Sequence, residues 1–413
     1  MKKHLIFLLS GSLAALSCSR GSDTAVAPTP TPPVATEPPV ETNAPNATYP
    51  PAFAGQTRAA GATTAASRYR ATVVTTALTS PWGITSLPDG RLLITEKAGQ
   101  LRLVTAAGVL STPITGLPAV NAAGQGGLLG VCLDPDFVTN RIVYWSFAEA
   151  RPGGNLTAIG KGKLATDERS IEAATVIYRA EPAYAGTLHY GGRVVFDRAG
   201  NLLASTGERS DLVTRPQAQA ANSALGKIVR LTKTGQPAPG NPVFAQADAR
   251  PELYSIGHRN PQGLAIHPGT GELWQSEHGP RGGDELNRPQ PGANYGWPTI
   301  TYGLEYGGQP VGSGIQQSPG LEQPAYYWDP VVSPSGMTFY AGNRIAEWQN
   351  NLFIGALSGQ HIVRLIIDNN RRVVGEERLL AGEGQRFRDL TQSPDGALYA
   401  ITDQGRLYRI DRP

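Results

Sequence analysis

The chain has 413 residues and a formal net charge of +3, from 36 Lys and Arg against 33 Asp and Glu. The basic residues form no runs, which argues against a nucleic-acid partner. Two cysteines, Cys18 and Cys132, are too few for a disulfide framework, and 49 Gly with 34 Pro mark the turn-dense chain that all-β folds require.

The N-terminus reads as an address. Lys2 and Lys3 precede an apolar run from Leu5 to Leu16, too short for the roughly 20 residues that span a bilayer and suited to a secretory leader. Residues 1–18 end in "AALSC", which resembles a bacterial lipobox with Cys18 as the lipidated residue. Ala15 and Leu16 depart from the usual order of leucine then small residue, and plain secretion is the alternative. The expected location is therefore periplasmic, or the outer membrane through a lipid on Cys18, with no other membrane contact. Residues 19–66, rich in Pro, Thr and Ala, have too few large aliphatic side chains to offset ordering entropy and read as a disordered tether.

Residues 67–413 repeat one phrase six times: a Pro/Asp/Gly turn, a strand, a polar break and a second strand. The copies begin at Leu87, Leu133, Phe196, Ile266, Ala346 and Ser393, as in "LPDGRLLITEKAGQLRLV" and "SPDGALYAITDQGRLYRI". Turn residues fall where positive φ is needed, and the runs between them have strand length and strand periodicity. One hairpin cannot bury both faces, whereas radial repetition can. The pattern predicts an all-β fold, a six-bladed β-propeller of four-stranded antiparallel blades, with insertions after the third to fifth copies on one face. Helix is nearly absent; "QAQAANSALGKIVRL" offers the one short helical turn.

Four stretches are polar where blade packing needs no polarity. In "NAAGQGGLLG", Gln125 sits among glycines that let backbone approach a ligand. "LHYGGRVVFDRAGNLLASTGER" carries His189, Arg193 and Glu208; alone, His189 reads as a polar residue ending a strand. "IGHRNPQGLAIHP" carries His258, Arg259 and Asn260, and Arg259 alone reads as half of an ion pair. In "SEHGPRGGDELNRPQPGANYGWP", Asp284 and Glu285 follow a Gly/Pro bend and supply hard oxygen donors of the kind Ca²⁺ takes, unless they only pair with Arg281 or Arg288.

Together with "GQGGLLGVCLDPDF", "HYGGR", "LGKIVRL", "GHRNPQGLA", "SEHGPRGGDELN", "GANYGWP" and "RFRDL", these stretches resemble, in order from about Tyr69 to the C-terminus, the soluble quinoprotein sugar dehydrogenases. Those glucose/sorbosone or aldose dehydrogenases use pyrroloquinoline quinone (PQQ) and Ca²⁺. The resemblance implies oxidation of an aldose C1 hydroxyl to a lactone, with electrons passed to an external acceptor. It implies His189 as general base and Arg259 with Asn260 against the quinone oxygens. Arg386 and Arg388 would grip its carboxylates, and Gln125 and Glu208 would face sugar or cavity. The Gly279 and Pro280 carbonyls would hold the cofactor's Ca²⁺, and Asp284, Glu285 and the Tyr295 carbonyl a separate structural Ca²⁺. Tyr326 and Trp328 would stack on cofactor or sugar.

Two departures stand out. Glu208 replaces the aspartate of glucose-oxidising relatives, and Ser358 replaces a lysine that pairs with PQQ, which weakens cofactor binding unless Arg364 or another group compensates. The long insertions of the glucose enzymes are absent, which points to the broader aldose enzymes and a more open site. A Ca²⁺-dependent propeller lactonase and a non-catalytic sugar- or quinone-binding propeller are the alternatives.

Overall fold

The computed structural model describes residues 37–62 and 68–413. The leader, Cys18 and the tether up to residue 36 lie outside the described residues. Among those described, no helix is long and apolar enough to cross a membrane.

Six sheets form six blades. Their innermost strands are Pro81–Ser86, Leu128–Leu133, Gly191–Phe196, Pro261–Ile266, Pro334–Phe339 and Phe387–Gln392, and each packs on the next in a closed ring. Every copy of the sequence phrase falls at the turn from an inner strand to the second strand of its blade, so the repeat is the blade. The sixth blade completes itself with the N-terminal strand Arg70–Thr75, paired from Leu407↔Thr75 to Asp411↔Arg70, which ties the two ends of the propeller together. In the first blade the outer edge is reduced to single bridges such as Leu101↔Ile114.

All six inner strands break register near their starts, at Pro81/Gly83, Leu128/Val131, Gly191/Val194, Pro261/Gly263, Pro334/Met337 and Phe387/Asp389. A bulge leaves backbone groups unpaired and re-aims side chains. Hydroxyls on the second strands take up several of these groups. Thr95 accepts the Gly83 N–H (2.8 Å) and donates to the Leu129 carbonyl of the next blade (2.5 Å). Ser146 and Ser205 repeat the pattern toward Gly192 and Pro261. These small polar side chains, buried in strands that otherwise read as apolar, stitch blade to blade. Below the bulges Arg193 of the third blade reaches the opposite, sixth blade to pair with buried Asp389, its guanidinium 4.4 Å from the Trp82 ring. This buried ion pair joins opposite blades across the channel.

Two expectations need correction. Residues 37–62 are no free tether: Ala60–Gly61 and Glu37–Pro39 extend the fifth blade to six strands, with Gly61 beside Glu376. Asp329 accepts the N–H groups of Asn46 and Ala47 (2.9 Å each), and buried Gln56 donates to the Pro324 carbonyl (2.9 Å). The segment lacks a core of its own and adds hydrogen bonds and small side chains to one already formed. The insertions also do not share one face. Residues 207–226 join second and third strands at the inner-strand starts, with a 3-10 turn at Arg215–Gln219. Residues 288–325 leave the opposite end of the fourth blade and climb back through the bridge Arg281↔Leu304.

Candidate active site

The channel opens, at the starts of the inner strands, into a cavity of about 490 Å³. Its walls include Gln125, His189, Arg259, Gly279, Pro280, Asp284, Arg386 and Arg388, so eight expected residues from separate parts of the chain converge. Trp82, Lys97, Gln262, His278, Tyr306, Ser333 and Asp403 complete much of the lining.

His189 occupies the left-handed backbone region (φ 46°), one residue removed from Gly191 and Gly192, both also at positive φ. A non-glycine residue held there costs about 1–3 kcal/mol and persists only where neighbours over-determine it. Here Gln125 Oε1 accepts the His189 N–H (2.9 Å), and the Asn260 side-chain oxygen accepts the Gly191 N–H (3.1 Å). Gly207 is needed because a Cβ there would collide with the His189 carbonyl. The imidazole Nδ1 lies 2.5 Å from Glu208 Oε1, and no described group bonds Nε2. Burial, then Arg259, Arg209 and Arg215, push His189 well below the usual histidine range. Burial pushes Glu208 up to about 7, against the pull of Arg259 and the Ser210 N–H. Near neutrality the imidazole is therefore uncharged, and Glu208 passes between its protonated and ionised forms. When Glu208 is ionised the ring proton sits on Nδ1, and Nε2 is a free base facing the cavity.

Arg259 approaches from the start of the fourth blade's inner strand. It donates to the carbonyls of His278 (3.1 Å) and Gly279 (2.7 Å) and lies 5.2 Å from the Trp297 ring. Its buried Nε has no partner, and among the described residues it forms no ion pair. Asp284 Oδ1 accepts the Gly279 N–H, while Oδ2 accepts those of Val332 and Ser333, and burial pushes its carboxyl up to about 7. On the far wall, Asp403 is shared by Arg388 (2.7 Å) and Arg386 (2.9 Å), with Lys97 nearby.

Other expected residues lie elsewhere. Glu208 sits behind His189, 1% exposed, and does not line the cavity. Asn260 is fully buried behind the wall, against Gly191 and His278, so the pair at 259 and 260 contributes one wall residue. Tyr326 and Trp328 do not stack in the cavity. They pack in the core between the fourth and fifth blades and both donate to Glu376 Oε2. Arg364 pairs with Glu377 (2.6 Å) and Asn351 and cannot replace the missing lysine. Ser358 bonds Ser333 across the cavity rim (2.7 Å).

The expected metal trio is also divided. Successive residues of a strand face opposite ways, and Glu285 turns away from the cavity toward its cross-strand neighbour Glu277, with Asn287 donating to both (3.0 Å each). Burial and Glu277 push the Glu285 carboxyl well up. Asn287 Oδ1 and both polar atoms of Gln275 are buried there without partners. The Tyr295 ring stacks on His258 (4.9 Å), which pairs with Glu277 (3.0 Å), so Tyr295 lies on the Glu285 side, away from Asp284 and the cavity. Among the described residues no three His, Cys, Asp or Glu side chains converge as a metal cluster. Sequence reasoning missed Lys97, His278, Trp82, Tyr306 and Asp403. His278 stood beside Gly279 in a quoted motif, whereas Lys97 and Asp403 end ordinary blade strands and carry no local signal.

Fold and site together define a six-bladed β-propeller whose central cavity sets cations around a histidine–carboxylate pair. The family model described as glucose/sorbosone dehydrogenase matches residues 78–409, and the chain belongs to that family of sugar dehydrogenases. It is 41% identical over 338 residues to the aldose sugar dehydrogenase YliI of Escherichia coli K12, covering 81% of this chain and 90% of the relative. The solved apo form of the soluble E. coli aldose sugar dehydrogenase superposes with a TM-score of 0.79 at 39% identity, covering 84% of this chain and 100% of that one. The PQQ-bound aldose sugar dehydrogenase of Streptomyces coelicolor gives a TM-score of 0.69 at 30% identity, covering 84% and 98%.

Proposed function

We propose that the protein oxidises the C1 hydroxyl of aldoses to lactones with PQQ and Ca²⁺ in this cavity, passing electrons to an external acceptor. The observation that carries the reading is the pair His189–Glu208 presenting a free Nε2 to a cavity in which Arg259 has no carboxylate partner. Bound there, PQQ would supply the acceptor for the hydride leaving C1, and Ca²⁺ a Lewis acid. His189 Nε2 takes the hydroxyl proton, and the Glu208 carboxylate holds the ring and offsets the imidazolium charge. Arg259 would hold a quinone oxygen and supply positive charge beside it. Arg386 and Arg388 present guanidinium forks suited to carboxylates.

The residues fit a polyanionic quinone: four cations, Lys97, Arg259, Arg386 and Arg388, face the cavity, and the carboxylates there, Asp284 and Asp403, are already engaged. They also fit Ca²⁺ in two places. Gly279 and Pro280 line the wall, where the Gly279 carbonyl already accepts from Arg259 (2.7 Å) and keeps one lone pair for a metal, and the pair Glu277–Glu285 lies beside the unpartnered Asn287 oxygen. The relatives named above support the redox reading, as does a cavity lined by cations; a lactonase needs carboxylates from several blades converging at its metal. We propose export on the N-terminal leader, with Cys18 as the lipid anchor.

Reconstitution tests the reading. Protein mixed with PQQ and Ca²⁺ is expected to reduce a dye when aldoses are added, and absence of PQQ-dependent reduction with every aldose tried would overturn it. Chelation should lower the melting temperature, because ligand that binds only the folded state stabilises it by mass action. An unchanged melting temperature would remove the structural Ca²⁺ from the account.

A further inference from the structure

The family lysine missing at position 358 leaves one side of the arginine pair without an ammonium. Around the ring the sixth blade, which carries Arg386 and Arg388, lies between the fifth blade with Ser358 and the first blade. Lys97 follows directly on the first blade's second strand, Leu92–Glu96, and lines the same cavity as the two arginines. It forms no ion pair among the described residues; its ammonium donates to the Gly124 carbonyl, which leaves two N–H groups free. The nearest carboxylate, Asp403, is already shared by both arginines. Three cations thus surround one carboxylate, an excess of two positive charges at one end of the cavity.

We propose that Lys97 is a binding residue for a carboxylate of the cofactor, supplying from the first blade the ammonium that Ser358 no longer supplies from the fifth. This rests on the proposed function, and no other described residue takes that role: Arg364 is held by Glu377 and Asn351. Burial and the neighbouring Arg388 hold the Lys97 ammonium below the ordinary lysine range, a cost that an incoming carboxylate relieves.

The test is equilibrium dialysis of the apo protein against PQQ in Ca²⁺ buffer, with no sugar and no turnover. Hydrogen bonds to charged groups contribute enough that Lys97→Met is expected to weaken binding about 10-fold to 100-fold. Lys97→Arg, which keeps the charge, is expected to bind within about threefold of the unsubstituted protein. The loss on Lys97→Met should shrink as salt rises, as screening requires. If the unsubstituted protein binds PQQ and Lys97→Met binds equally well, Lys97 has no such role and the cofactor reading stands. If Lys97→Arg weakens binding as much as Lys97→Met, the lysine acts through packing and the proposal fails. If the unsubstituted protein does not bind PQQ, both readings fall.

Discussion

The two walls of the cavity are built on opposite principles. On the wall of the first and sixth blades, Lys97, Arg386 and Arg388 crowd around one shared carboxylate, and Arg386 remains 42% exposed. On the wall of the third and fourth blades, His189 and Glu208 are almost fully buried, 2.5 Å apart, and held by a strained backbone. The first wall carries excess charge that an anion can neutralise. The second carries a proton whose position depends on burial. Binding asks for many modest, additive cation contacts, whereas proton transfer asks for one geometry fixed beforehand.

Substitutions should therefore separate by wall. His189→Gln removes the base and should lower kcat by about 10³-fold in steady-state dye reduction. Arg193→Met cuts the ion pair across the channel and strands the Asp389 carboxylate, which should destabilise the fold by about 3–5 kcal/mol in denaturant titration. Glu208→Gln keeps the shape of the pair without its charge and should cost about 10-fold to 100-fold in kcat, part of the contribution of the base. Its pH profile is the sharper readout. Below about pH 7 a protonated Glu208 donates to Nδ1, the ring proton moves to Nε2, and the base is lost. The kcat/KM of the unsubstituted enzyme should fall as pH drops through about 7, and the Glu208→Gln profile should lack that limb. Smallest of all, Tyr326→Phe, which removes a hydrogen bond to Glu376 far from either wall, should cost about 1 kcal/mol of stability and leave kinetics unchanged.

The blades were legible in the sequence because each must repeat the same turn and strand to bury its two faces; His189 and Arg259 stand in stretches polar beyond packing needs, whereas Arg386 and Arg388 were marked only by the family resemblance of "RFRDL". What escaped has physical reasons. Alternation within Asp284–Asn287 sends adjacent carboxylates to opposite sides, which adjacency in sequence conceals. Tyr326 and Trp328 resemble a ligand-stacking pair, yet their polar tips are satisfied by buried Glu376. Lys97 ends a strand like any solvated lysine until the ring places it beside Arg388. The strap of residues 37–62 has few large apolar side chains because it packs small ones such as Ala59 against the fifth blade's core.

The division between walls is tested most directly by measuring PQQ affinity and sugar-dependent turnover side by side for His189→Gln and Arg388→Ala. The account predicts that His189→Gln binds PQQ within about threefold of the unsubstituted protein yet turns over about 10³-fold more slowly. Arg388→Ala should bind about 10-fold to 100-fold more weakly yet turn over normally once saturated. If His189→Gln turned over at the unsubstituted rate, or if the two variants lost affinity and rate in the same proportion, the assignment of grip to one wall and chemistry to the other would be contradicted.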